Sequence, residues 1–231
     1  MTILNKSWSE SAKNCHPKGG RRFQRDQTIG RLEMRNEQSG LRVIVLHGAH
    51  GAPDTNWFPW LQSALNEEGI DVLRPQFPTP VGQSLEAWFD VYDRAVESLP
   101  FTQTILVGHS LGTAFALRLV ERSTEPFHGL FLASPFIGAL GLADYDMINH
   151  SFFAEPFDWA GIRNRKGKAG RCWAGDDDPY VPLARSQDVA VHLELPLEVV
   201  AGGGHLNRET GFNAFPRLLD AILAECGRAP G

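Results

Sequence analysis

This sequence lacks most of the features that mark a membrane, secreted or nucleic-acid-bound protein. No apolar run among its 231 residues approaches the roughly 18 needed to cross a bilayer. Met1 to Gly20 has no apolar centre of the kind a secretion signal carries. There are only three cysteines, Cys15, Cys172 and Cys226, far apart and without a CxxC pair, a spacing that argues against a disulfide framework and a zinc ribbon. There is no basic surplus either: the formal net charge is -5, whereas nucleic-acid binders usually present a basic face. The expectations are a cytoplasmic protein with incidental thiols, no nucleic-acid partner and no membrane partner.

What is present is an ordinary globular composition, 42% hydrophobic and 21% charged, long enough for one sizeable core. The charge is uneven. Residues 1–40 hold eight Lys or Arg against four Asp or Glu, so the remaining chain is markedly acidic. Those forty residues are poor in aliphatic side chains, lack periodicity and include the turn-forming stretch Pro17 to Arg22. They read as a flexible extension ahead of a single domain over residues 41–231. Met34, just before the folded part, is a candidate natural start of translation. A transit peptide fits less well, because Glu10 and Asp26 break its acid-poor pattern.

The most informative stretch is Thr104 to Ala116, where the apolar run Ile105 to Val107 meets Gly108-His109-Ser110-Leu111-Gly112 and then residues with helical spacing. A GxSxG turn between strand and helix holds its serine where the backbone is strained, and its glycines let strand and helix approach. Alone the pattern is only moderately specific, since a β-turn serine can also cap a helix. Its partners decide.

From residue 41, apolar runs and helical stripes alternate. Strands are expected at Leu41 to Leu46, Ile70 to Leu73, Ile105 to Val107, Gly129 to Ala133, Gly170 to Ala174 and Leu197 to Ala201. Helices are expected over Asn56 to Glu68, from Ser84 to about Ser98, Leu111 to Glu121, Pro182 to His192 and Phe212 to Cys226. About six mostly parallel strands with helices on both faces would place functional loops at the carboxyl ends of the strands. Residues 136–161 break this rhythm and suit a short cap, whose Phe152, Phe153, Phe157 and Trp159 either overhang a pocket or pack a surface subdomain. Arg163, Arg165, Lys166 and Lys168 read as a solvated turn rather than an anion site.

Three residues, each just after an expected strand, appear in the order serine, acid, histidine: Ser110, Asp178 and His205. That is the order of the α/β-hydrolase fold. A serine hydroxyl needs a base as it attacks, and the imidazole of His205 suits that role. The carboxylate of Asp178 would orient the imidazole and stabilise its cation. Asp176 and Asp177 are rivals in the same loop. Ala49 and Leu111 are the expected oxyanion amides, Ala49 following the His47-Gly48 turn at the end of the first strand. Competing readings are that His47, His50 and Asp54 form a metal cluster or a solvated loop. His109 is expected to pack beneath the elbow.

The chain resembles the small α/β-hydrolase-fold serine hydrolases of the YdeN and retinoblastoma-binding-protein-like family. The resemblance rests on Val43-Ile44-Val45 with its glycine loop, Trp57 and Trp60, GHSLG at 108–112, Phe153 to Trp159 before Ile162, Asp177-Asp178-Pro179 and Gly204-His205. It implies a compact α/β-hydrolase with few insertions, the same three catalytic residues, and esterase-like activity on simple acyl substrates. No cofactor or metal is implied. Residues 1–40 have no counterpart in that family, and no retinoblastoma-type binding signature is present. The expected activity is cleavage of carboxylic esters of small or medium acyl groups through an acyl-enzyme. A peptidase or thioesterase on the same residues and a non-catalytic hydrolase-fold interaction module are the alternatives.

Overall fold

A computed structural model of the chain describes residues 40–96 and 100–227. Cys15, Met34 and nearly all of the expected extension lie outside the described residues, as does the end of the helix expected to reach Ser98. Six strands, β1 (Arg42–Leu46), β2 (Asp71–Leu73), β3 (Thr104–His109), β4 (Gly129–Ala133), β5 (Ala169–Gly175) and β6 (Leu197–Val200), form one sheet in the order β2-β1-β3-β4-β5-β6. Every pairing is parallel. The helices are α1 (Phe58–Glu67), α2 (Leu85–Ala95), α3 (Leu111–Arg122), α4 (Ala143–Asn149), α5 (Trp159–Arg165), α6 (Leu183–Leu193) and α7 (Pro216–Glu225).

Strand side chains alternate between faces, and the core divides accordingly. Ile44, Leu46, Leu106, Leu130 and Leu132 pack with Trp88, Phe115 and Val189 from α2, α3 and α6. Val43, Val45, Ile105, Val107 and Phe131 pack on the other face with Phe58, Leu61, Leu218 and Ile222 from α1 and α7. A parallel sheet buried on both sides explains the unbroken apolar runs of β1 and β3. Fully burying a side chain such as Phe115 contributes on the order of 2–3 kcal/mol.

The chain leaves β1 toward β2 at one edge and returns on the other side of β1 as β3. Adjacent loops diverge to opposite faces at such a reversal, and a crevice opens at the carboxyl ends of the two strands. Register puts Leu46 beside Gly108 and His109 beside Ala133. The His47 to Gly51 loop and Ser110 therefore emerge side by side.

Helix α7 starts at Pro216 rather than Phe212. Proline at the first helical position has no amide to leave unsatisfied. The basic run is also not a solvated turn. Arg163 and Arg165 lie in α5, where Arg165 donates to the carbonyls of Val120 and Glu121 at 3.2 and 3.0 Å and Arg163 to that of His192 at 3.0 Å.

Candidate active site

Ser110 has φ 56° and ψ -125°, a left-handed-side backbone that a non-glycine residue adopts only when its surroundings force it. Here they do. Its N–H donates to the Ala133 carbonyl at 3.0 Å. Its own carbonyl accepts from the Thr113 N–H at 2.9 Å and the Thr113 hydroxyl at 2.6 Å. Ser110 occupies the N-cap position of α3, yet its side chain makes no capping bond, so the simple helix-cap reading fails. The flanking glycines are needed for space: a Cβ on Gly108 would sit 2.8 Å from the Gly112 carbonyl oxygen, and one on Gly112 would sit 2.7 Å from the His47 carbonyl oxygen.

Gly48 lies directly against the serine, for a Cβ there would come within 2.8 Å of Ser110 Cβ. Ala49 and Ser110 line the same cavity. Among the described residues neither the Ala49 N–H nor the Leu111 N–H donates a hydrogen bond. His47 is not part of a solvated loop. It is 1% exposed, and the described residues contain no group of three or more His, Cys, Asp or Glu able to hold a metal. His50 is the exposed one, its N–H bonded to Thr79 Oγ1 at 2.7 Å and its ring against Tyr145.

At the end of β5 three consecutive aspartates each grip the glycine-rich loop after β6 differently. Asp176 Oδ1 accepts from the Gly202 N–H at 2.8 Å, and Asp177 Oδ1 accepts from the Gly204 N–H at 2.7 Å. Asp178 Oδ2 lies 2.8 Å from His205 Nδ1, and its Oδ1 accepts from the N–H groups of Tyr180 and Val181 at 2.9 and 3.0 Å. Asp178 thus reaches the imidazole while its two rivals fasten the loop. A carboxylate can only accept, so Nδ1 carries the proton and Nε2 is left with its lone pair. Burial alone would raise the Asp178 pKa. The hydrogen bond and charge of His205, with the two backbone amides, outweigh burial and hold the carboxyl below its ordinary value. The Asp178 side chain is 1% exposed and that of His205 10%.

Two donors hold the histidine loop from the opposite side. His109 Nε2–H donates to the His205 carbonyl at 2.9 Å, and Trp57 Nε1–H donates to the Leu206 carbonyl at 3.0 Å. Burial, reinforced by neighbouring His205, pushes the His109 pKa down to about 3, so this imidazole stays a neutral donor. His109 packs beneath the elbow as expected, but its bond to the His205 backbone was not legible in the sequence. Nor were those of Trp57, Asp176 and Asp177. The only available signal was three glycines leaving backbone amides open beside a run of aspartates.

Ser110, His205 and Ala49 face a common cavity of about 390 Å³. Its lining includes the apolar side chains of Phe136, Leu140, Leu142 and Val181 and the polar ones of Asn56, Asn207, Arg208 and Glu209. The first half of the expected cap supplies three of the apolar ones, Phe136, Leu140 and Leu142. Of its aromatics, Phe152 is fully buried and packs edge-on against Trp88. Phe157 lies 3.7 Å beneath the Arg118 guanidinium. They hold the segment down instead of overhanging the cavity.

The serine hydrolase family profile matches residues 43–224. YdeN of Bacillus subtilis (strain 168), named as a hydrolase, is 31% identical over 185 residues, covering 79% of this chain and 95% of that protein. The crystal structure of the B. subtilis ydeN product superposes with a TM-score of 0.75 at 28% identity, covering 81% of this chain and 100% of that one. Serine hydrolase RBBP9 of Rattus norvegicus is 26% identical over 182 residues, 78% of this chain and 94% of its own. The matched span takes in all six strands except Arg42 at the start of β1, with every residue of the cavity just described, and the chain belongs to the serine hydrolase family.

Proposed function

We propose that the protein hydrolyses carboxylic esters of small or medium acyl groups, with Ser110 as nucleophile, His205 as base and Asp178 as its orienting carboxylate. The observation that carries this reading is a serine with a strained backbone and no capping bond, sharing one cavity with an imidazole whose far nitrogen is bonded at 2.8 Å to a buried carboxylate. In the proposed reaction Ser110 Oγ attacks the ester carbonyl as His205 Nε2 takes its proton. The tetrahedral oxyanion is met by the N–H groups of Ala49 and Leu111. His205 then returns the proton to the departing alkoxide, leaving an acyl-Ser110 ester. Water, activated by the same imidazole, releases the acid and restores the serine.

A cavity of about 390 Å³ lies at the small end of ligand sites, which supports short or medium acyl chains packed on its apolar lining residues. The test is a fluorophosphonate probe together with a p-nitrophenyl ester series from acetate to palmitate. We expect labelling and turnover in the wild type, loss of both in Ser110→Ala, and a rate maximum at or below the octanoate. Turnover undiminished in Ser110→Ala would refute the proposal.

A further inference from the structure

Resting on the reading of Ser110 as nucleophile, we infer that His47 is a positioning residue: it fixes the peptide between Gly48 and Ala49 so that the Ala49 N–H faces the oxyanion. His47 is the first residue after β1, its imidazole buried against Phe77 and Trp88 with ring centroids 5.3 and 5.5 Å away. The Phe77 N–H donates to His47 Nε2 at 3.0 Å, and the Gln76 side-chain amide presents a second donor to the same nitrogen at 3.4 Å. Nε2 is therefore the acceptor, which leaves the ring proton on Nδ1. Nδ1–H donates to the Gly48 carbonyl at 2.8 Å, and the Gly51 N–H donates to the same oxygen at 3.1 Å.

That carbonyl belongs to the peptide unit whose N–H is Ala49. In a planar trans peptide C=O and N–H point in opposite directions. An oxygen held by two donors on one side thus fixes the N–H on the other. Ala49 lines the cavity and Gly48 lies against Ser110, and the Ala49 N–H has no acceptor among the described residues. A flip of this one peptide would replace a donor with a carbonyl oxygen, and an oxyanion would then meet negative charge. Glycine at 48 makes the flip sterically easy, so something must oppose it. Burial disfavours protonation of His47, which keeps Nε2 an acceptor and Nδ1 the donor.

The full-length variants His47→Asn and His47→Gln separate this role from simple packing. The asparagine amide nitrogen stands near the position of Nδ1 and can still donate to Gly48. The glutamine reaches the position of Nε2, can accept from Phe77, and leaves Gly48 without its side-chain donor. With a p-nitrophenyl ester we expect His47→Gln to lose about 10²-fold in kcat, the cost of one oxyanion donor, with KM changed only a few-fold. Affinity for a trifluoromethyl ketone, which forms a tetrahedral oxyanion on the serine, should fall in parallel, and His47→Asn should recover most of both. Equal kcat in wild type and His47→Gln, or equal losses in both variants, would overturn the inference. Should the variants not fold, ¹⁵N NMR of wild-type imidazoles decides: an Nε2–H tautomer at His47 would also overturn it. Ser110→Ala separates the two ideas. An inactive Ser110→Ala with a fully active His47→Gln sinks the His47 role alone, whereas an active Ser110→Ala sinks both.

Discussion

Replacing Gly112 with alanine adds one methyl group in the first turn of α3, and the consequences can be worked out. The new Cβ would press on the Leu46 carbonyl oxygen and lie 2.7 Å from the His47 carbonyl oxygen, against 3.4 Å for ordinary contact. Both obstacles are backbone, so no side chain can swing aside. Helix α3 cannot retreat, since Leu111, Ala114 and Phe115 are 0% exposed. The end of β1 must then yield by at least about 0.7 Å at His47, and the loop carrying Gly48 and Ala49 moves with it. Overpacking of this kind costs about 1–3 kcal/mol, partly offset by up to about 1 kcal/mol from the better helix propensity of alanine. We expect a net loss of about 1–2 kcal/mol in urea unfolding. The effect on turnover should be larger, because misplacing a reacting group by around 1 Å costs about 10²-fold. Steady-state hydrolysis of p-nitrophenyl butyrate should show kcat down by about that factor. Gly69→Ala is the control: φ there is +71° and nothing lies within 4 Å of the added methyl, so it should cost about 1–2 kcal/mol through left-handed strain and leave kcat alone. Wild-type kcat in Gly112→Ala, or an equal kcat loss in Gly69→Ala, would refute the reasoning.

Asp178→Asn can keep the two backbone bonds to Tyr180 and Val181 through its oxygen. It then turns an amide N–H₂ toward His205 Nδ1, favouring the wrong tautomer; kcat should fall by about 10³- to 10⁴-fold with an unchanged circular dichroism spectrum. His109 gives a pH signature. Its folded pKa of about 3 lies below the ordinary histidine value of 6.5, so between those pH values the unfolded chain binds a proton that the folded chain lacks. Its contribution to stability is intact above pH 6.5 and is lost as pH falls, by about 1.4 kcal/mol per pH unit and so about 2 kcal/mol by pH 5. Glutamine at 109 keeps a donor but does not titrate, and His109→Gln should flatten the acid limb of unfolding free energy against pH; an unaltered limb would contradict this. Arg118 is buried and donates to the carbonyls of Phe152, Glu155 and Pro156 and to the Glu121 carboxylate. Arg118→Met should lower stability by about 3 kcal/mol or more and raise KM as the cap wall loosens, both read by thermal melts and ester kinetics.

Much of this protein was legible in order along the chain. Apolar runs and helical stripes located the six strands to within two residues at each end, because burial on both faces writes itself as a continuous run. The order Ser110, Asp178, His205 pointed to one sheet edge, because parallel strands bring their carboxyl ends together. Reading fails where meaning depends on what lies opposite. The aromatics Phe152 and Phe157 fit a pocket lid and a core equally well in one dimension; Trp88 and Arg118, far away in sequence, made them core. Asp176, Asp177 and Asp178 are chemically identical neighbours, and only the path of the loop after β6 assigns Gly202, Gly204 and His205 one to each.

The alternation of strands and helices, the sharp turn at Ser110 and the chemical types available at the sheet edge follow from residue order alone. These are local properties of pattern and residue. Only the folded chain shows which aspartate meets the imidazole, that His109 and Trp57 pin the backbone beneath it, and that the Phe77 N–H engages His47 Nε2. A hydrogen bond needs its partner within about 3 Å at a favourable angle. For residues separated by 27 to 149 positions, only the folded chain sets that distance.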